Sequence, residues 1–152
     1  MRIGIAGTQT TELVAKSIKE TLSDAGFESF HFKNNSKVTM ADLVIVLGGD
    51  RGVRNYFHSA LDVDTPVLGI SESESNGVLA QIELKELPSY LNRIKKQDYV
   101  IEDVPRIGVK IDGKNTYPVL NDVAVFTSKS ATLMEHIYES TAKRIGMIAV
   151  TV

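Results

Sequence analysis

Seven consecutive residues, Val44-Ile45-Val46-Leu47-Gly48-Gly49-Asp50, constrain the fold more than any other part of the chain. Their apolar run is continuous rather than alternating, the pattern of a strand buried on both faces of a parallel sheet. Two glycines then end it. Neither carries a Cβ, so the backbone can turn sharply there and come close to a ligand. Asp50 follows directly, which puts it at the carboxyl end of a parallel strand, where open α/β sheets keep their ligand sites. The same tripeptide also suits a plain turn with a helix cap, and locally both readings stand.

The rest of the first hundred residues fits such a sheet. Arg2–Ala6 is a short apolar strand that stops at Gly7. Val14, Ile18, Leu22 and Ala25 recur at spacings of four, four and three, so they form one face of a helix. Thr10 or Thr11 can cap it, Glu12 suits its first turn, and Gly26 ends it as a left-handed residue. Residues 27–32 alternate Phe27, Phe30 and Phe32 with polar neighbours, as a strand does, and 33–37 read as a polar loop. The buried strand itself covers 41–47. After Asp50, Val53, Phe57, Ala60 and Leu61 have helical spacing. Residues 65–70 form a fourth strand, and 71–76, without an apolar residue, an exposed loop. Leu84, Leu87, Leu91 and Ile94 mark a further amphipathic helix with Pro88 in its first turn. Such alternation predicts a parallel sheet with helices on both faces.

Near Asp98 the pattern changes. Segments 99–104, 106–111, 117–126, 131–138 and 144–152 favour strand, and Asp112-Gly113 is a hairpin signal. The expected organisation is α/β: a Rossmann-like nucleotide-binding domain over residues 1–97, then the beginning of an antiparallel β domain over 98–152.

Composition narrows the functional classes. A formal charge of −2 across 152 residues gives no electrostatic reason to expect nucleic acid or an anionic membrane as partner. No apolar stretch approaches the roughly 18 residues of a membrane span. The amino terminus lacks the apolar region and cleavage site of a signal peptide, so a cytoplasmic location is expected. With no cysteine, disulfides, thiolate nucleophiles and cysteine metal sites are excluded. His31, His58 and His136 are isolated, so no protein metal site is expected. Ser128-Lys129-Ser130 reads as a turn.

The order of motifs is more specific than any one of them. Leu47-Gly48-Gly49-Asp50 is followed by Pro66-Val67-Leu68-Gly69-Ile70, then Gly77-Val78-Leu79, then Leu120-Asn121-Asp122-Val123. Over most of residues 1–126 this series resembles the ATP-dependent NAD kinases. That family shows a Gly-Gly-Asp-Gly loop, a Pro-Val-Leu-Gly strand, a Gly-Phe-Leu element and an Asn-Glu or Asn-Asp pair. The resemblance implies transfer of a phosphoryl group from ATP, with a divalent ion such as Mg2+, to the adenosine ribose 2′-hydroxyl of NAD. It implies Asp50 as general base, an effect worth roughly 10² to 10⁴ in rate. It implies Gly48 and Gly49 as backbone N–H donors to phosphates and Asn121 and Asp122 as NAD-binding residues. NAD(P) and ATP are the expected partners, and a homo-oligomer the expected assembly.

Three departures accompany the resemblance. Arg51 stands where the family has its fourth glycine. Either Gly52 substitutes after a one-residue slip, or the Arg51 guanidinium binds a phosphate, or Arg51 faces solvent on the first helical turn. Gly48, Gly49, Arg51 and Gly52 therefore stand together as candidate phosphate-binding positions. Glu72 and Glu74 bring two acids into the 71–76 loop, and Val78 replaces an aromatic residue. The family's Thr-Pro-Thr-Gly-Ser-Thr-Ala-Tyr segment is missing, so the expectation is a fragment of a longer chain or a β region completed by another subunit. These departures keep open a nucleotide-binding homologue that has lost phosphoryl transfer. A lipid or sugar kinase of the same superfamily is a third reading.

Overall fold

Every side chain of β3 (Leu43–Leu47) and β4 (Val67–Ser71) is buried, because both strands are covered on two sides. The computed structural model describes residues 1–7, 12–32, 40–59, 64–73, 77–116, 118–120 and 124, with the backbone of 142–149. Its parallel sheet also contains β1 (Arg2–Ala6), β2 (Glu28–His31) and the two-residue β5 (Ile82–Glu83). Strand order runs β2-β1-β3-β4, with β5 on β4. The chain reverses direction across the sheet between β1 and β3, so the carboxyl ends of those strands flank the usual ligand crevice.

Alternation along the strands sorts the core into two layers. Ile3, Ile5, Leu43, Ile45, Leu47, Leu68 and Ile70 face Ile18 and Leu22 of α1 (Glu12–Asp24) and Leu91 and Ile94 of α3 (Leu87–Lys95). Ala6, Val44, Val46 and Val67 face Val53, Tyr56 and Phe57 of α2 (Gly49–Ser59). Helices thus cover both faces, as the strand–helix alternation predicts.

The local signals act as expected. Gly26 has φ +80°, and α1 ends in a Schellman motif: Phe27 N–H donates to Leu22 O and Gly26 N–H to Ser23 O, both at 2.9 Å. Pro88 lies at the start of α3, after a 3₁₀ turn over Leu84–Glu86. The hairpin at Asp112-Gly113 has φ +51° and +74°, joining β7 (Lys110–Ile111) to β8 (Lys114–Asn115) in a small antiparallel sheet.

The edges of the elements differ from the periodicity. The strand expected over 65–70 occupies Val67–Ser71, and β6 (Val100–Ile107) runs straight through Pro105. Proline is tolerated there because β6 is the outermost strand. β6 pairs antiparallel with β9 (Ala142–Ala149), and β9 runs parallel to β4 at Val67–Met147. That pairing joins the late strands to the same sheet. Arg106, fully buried beneath α2, donates from Nη1 to Phe57 O at 2.9 Å. A cation at that point complements the carboxyl end of α2. Expected features at Thr10 and Thr11, 33–37, Ala60 and Leu61, 74–76, and 125–138 lie outside the described residues.

Candidate functional site

No loop separates β3 from α2. Gly48 and Gly49 take φ of +96° and +63°, which side chains rarely tolerate, and the helix begins at Gly49 itself. Gly52 N–H donates to Gly48 O at 3.0 Å and closes the first turn. A Cβ on Gly52 would lie 2.0 Å from Leu47 O, so α2 presses on the end of β3 more closely than any other residue would allow. Gly52 therefore works by close helix–strand packing. The first amides of α2 have no carbonyl one turn back within the helix, and they open toward the carboxyl edge of the sheet.

Asp50 sits in that first turn, yet its carboxylate reaches a segment far along the chain. Val78 N–H donates to Oδ2 at 3.0 Å, and the N–H groups of Leu79 and Ala80 each donate to Oδ1 at 2.9 Å. Gly77 makes room for this contact: a Cβ there would lie 2.5 Å from Asp50 Oδ1. Gly69 makes room beneath it, since its Cβ would lie 2.5 Å from Leu79 O and 2.7 Å from Val53 Cγ2. Ser71, buried at the end of β4, borders the same place, with its Oγ 3.7 Å from where a Gly49 Cβ would fall. Three motifs spread along the sequence thus meet at one carboxylate.

Partial burial alone would raise the pKa of Asp50. The amides of Ala80, Val78 and Leu79 and the charge of Arg54 outweigh it, and the carboxyl is held below the usual carboxylate range. It stays ionised throughout neutral pH. An ionised carboxylate offers about four acceptor positions, of which the turn uses three, leaving one on Oδ2.

The predicted site residues separate clearly. Gly48, Gly49 and Asp50 come together at the carboxyl edge. Arg51 is exposed on the first turn of α2, and Gly52 keeps a helical backbone. Asn121 and Asp122 lie outside the described residues. Sequence reasoning missed Gly69, Ser71 and the backbone of residues 78–80. Their signal was the glycine in each motif, whose purpose appears only when the distant segments meet. A groove of about 410 Å³ lined by Arg2, Lys19, Ser23 and Phe27 lies at the amino edge of the sheet, away from Asp50.

A largely parallel open sheet with a glycine turn and an ionised carboxylate at its carboxyl edge defines an α/β protein of the doubly wound class. The family is narrower. Residues 7–99 match the ATP-NAD kinase N-terminal domain, and the chain belongs to the NAD kinase family. It is 29% identical over 114 residues to an NAD kinase of Clostridium kluyveri, covering 73% of this chain and 40% of that one. A Methanopyrus kandleri NAD kinase is 25% identical over 95 residues, which cover 62% of this chain and 34% of the relative. The crystal structure of an NAD kinase from Archaeoglobus fulgidus in complex with ATP shares the fold, with TM-score 0.60 and 20% identity. That match covers 76% of this chain and 45% of the other. The chain therefore spans less than half the length of these relatives. Among the described residues no helix is long and apolar enough to cross a membrane.

Proposed function

We propose that this chain is the nucleotide-binding α/β part of an NAD kinase, which phosphorylates the adenosine ribose 2′-hydroxyl of NAD with ATP to give NADP. One observation carries the reading: the Asp50 carboxylate is fixed at the carboxyl edge of β3 with an acceptor position left on Oδ2. A ribose hydroxyl bonded there would be oriented for attack, with Asp50 as the acceptor of its proton. Phosphoryl transfer needs little covalent help from the protein, so positioning and charge stabilisation supply most of the rate. The glycine turn and the first amides of α2 are the candidate donors to phosphate oxygens, and the helix dipole favours negative charge there. Asn121 and Asp122 would hold the dinucleotide. Mg2+ would travel with the ATP phosphates, the usual mode for this ion. Exposed Val100, Ile101 and Ile107 on β6 support association with further copies, which sedimentation velocity would measure.

The test is NADP formation from NAD, ATP and Mg2+, followed with an NADP-specific dehydrogenase. Activity should fall at least tenfold in Asp50→Asn. Unchanged turnover in that variant would remove Asp50 from the reaction. A second reading, nucleotide binding without transfer, draws on the three amides that already occupy the carboxylate and lower its basicity. Thermal stabilisation by NAD or NADP together with zero turnover would favour it. Absence of any nucleotide effect would count against both.

A further inference from the structure

The Asp50 contact is more extensive than a base requires. We propose that the Asp50 carboxylate is also a positioning group, which builds the turn over residues 77–80 and sets Val78 beside the remaining acceptor position on Oδ2. The inference rests on the NAD kinase reading and assigns this carboxylate a second role in it.

Three glycines make the contact a built one. Gly52 lets α2 approach β3, Gly69 lets residues 79 and 80 lie on β4, and Gly77 leaves the space that Oδ1 fills. Behind the turn, Ala80 is buried and Leu79 packs against the α2 side of the core, so the segment is held from the rear as well. In front, Val78 is 77% exposed although its own N–H is bonded to Oδ2. A hydroxyl on that oxygen would share it with the amide of a residue whose apolar side chain is exposed. Such a place suits a hydroxyl carried beside an apolar or ring surface, as in a nucleoside. Removing the carboxylate would release the three amides and let Val78 leave this position.

The experiment combines amide exchange by NMR with steady-state kinetics on the full chain. It compares the wild type with Asp50→Asn and with Gly77→Ala, whose Cβ displaces the carboxylate without deleting it. In both variants the amides of Val78, Leu79 and Ala80 should exchange about tenfold to hundredfold faster than in the wild type, as expected for loss of hydrogen bonds to a charged group. In both, kcat/KM for NAD should fall at least tenfold with a raised KM. A carboxylate acting only as base predicts otherwise: unchanged exchange at residues 78–80 and an unchanged KM for NAD in both variants, with only kcat lowered. That result overturns the proposal. Faster exchange with unaltered kinetic constants would overturn it too, by showing a purely structural contact.

Two further arms keep the outcomes separable. Should the wild type show no turnover, NAD-induced thermal stabilisation replaces the kinetic readout. No stabilisation in the wild type refutes the NAD kinase reading and the positioning role with it, while exchange still decides the carboxylate–turn contact. Should Asp50→Asn fail to fold, the wild-type amide shifts of residues 78–80 are titrated with acid. A common midpoint below the usual carboxylate range supports the contact; unrelated midpoints overturn it.

Discussion

Gly52→Ala is the sharpest test of how the site is assembled, because two effects of known size oppose each other there. In an ordinary helix the change is stabilising by about 1 kcal/mol, since alanine loses less backbone freedom. Here the new Cβ would fall 2.0 Å from Leu47 O and 2.9 Å from the Leu47 carbonyl carbon. Carbon–oxygen contacts settle near about 3.3 Å, so α2 must retreat from β3 by about 1.3 Å. Both clashing atoms are backbone of a central, fully buried strand, so no side chain can swing aside. Overpacking of this kind costs about 1–3 kcal/mol, and the rigid backbone argues for the upper end. The net expectation is a loss of about 2 kcal/mol, or about 4–8 °C in Tm for a chain of this size. Circular dichroism melts, with the exposed Asn55→Ala on the same helix as control, measure it directly. An unchanged or higher Tm in Gly52→Ala would refute the packing role. A retreat of that size would also pull Asp50 from its three amides, so the same variant should disturb the NMR shifts of Val78, Leu79 and Ala80.

Arg106→Met should cost about 1–3 kcal/mol in urea unfolding, because Phe57 O loses a buried donor and α2 loses the cation at its carboxyl end. Equal stability would show that the guanidinium contributes only volume. Tyr56, 3% exposed, has its hydroxyl pushed up to about 12 by burial, against the opposing charge of Arg106. Its contribution is fully present below the unfolded value and is lost as pH rises toward 12, by about 1.4 kcal/mol per unit. Absorbance at the phenolate band should show one tyrosine missing from the Tyr56→Phe titration at its alkaline end, and an identical curve would contradict the assignment. For Asp50 the sign is reversed: a lowered folded value gives stability above the unfolded value that disappears as pH falls through the folded one. The stability gap between wild type and Asp50→Asn should therefore stay constant from about pH 7 to about pH 5 and close only in stronger acid. A gap that closes near neutrality would refute the three-amide contact.

How much of this was legible in the sequence depends on where each constraint lives. β1 and α1 were readable because their burial is local: a short apolar run, and a helix face at spacings of four, four and three. The start of α2 was not. Gly-Gly-Asp has the composition of a loop, and only the Gly52 N–H bond to Gly48 O shows that the first helical turn already closes within it. β5 is two residues long and exists because β4 offers it an edge, so it has no period to detect. Arg106 carries no sequence signal of burial. Its burial follows from β6 lying against the end of α2, a contact 49 positions apart in the chain. The candidate site was half legible for the same reason. Asp50 was placed at a strand end by the apolar run before it, but its partners are backbone groups, and backbone donors carry no sequence signature.

The departure at position 51 also changes meaning once the turn is seen. A glycine is favoured where φ is positive, and here that preference falls on Gly48 and Gly49. Position 51 is already inside α2, where arginine is a good helix former and its side chain is exposed. Arg51 therefore leaves the geometry of the turn intact. It adds instead a positive charge near the amino end of α2, three residues before Arg54, whose own charge helps keep Asp50 ionised. The glycines whose loss would dismantle the arrangement are those at 52, 69 and 77, each of which faces another segment at a distance no side chain could occupy. Substitution at 52, 69 or 77 should therefore disturb the carboxylate–turn contact, whereas Arg51→Gly should leave that contact in place.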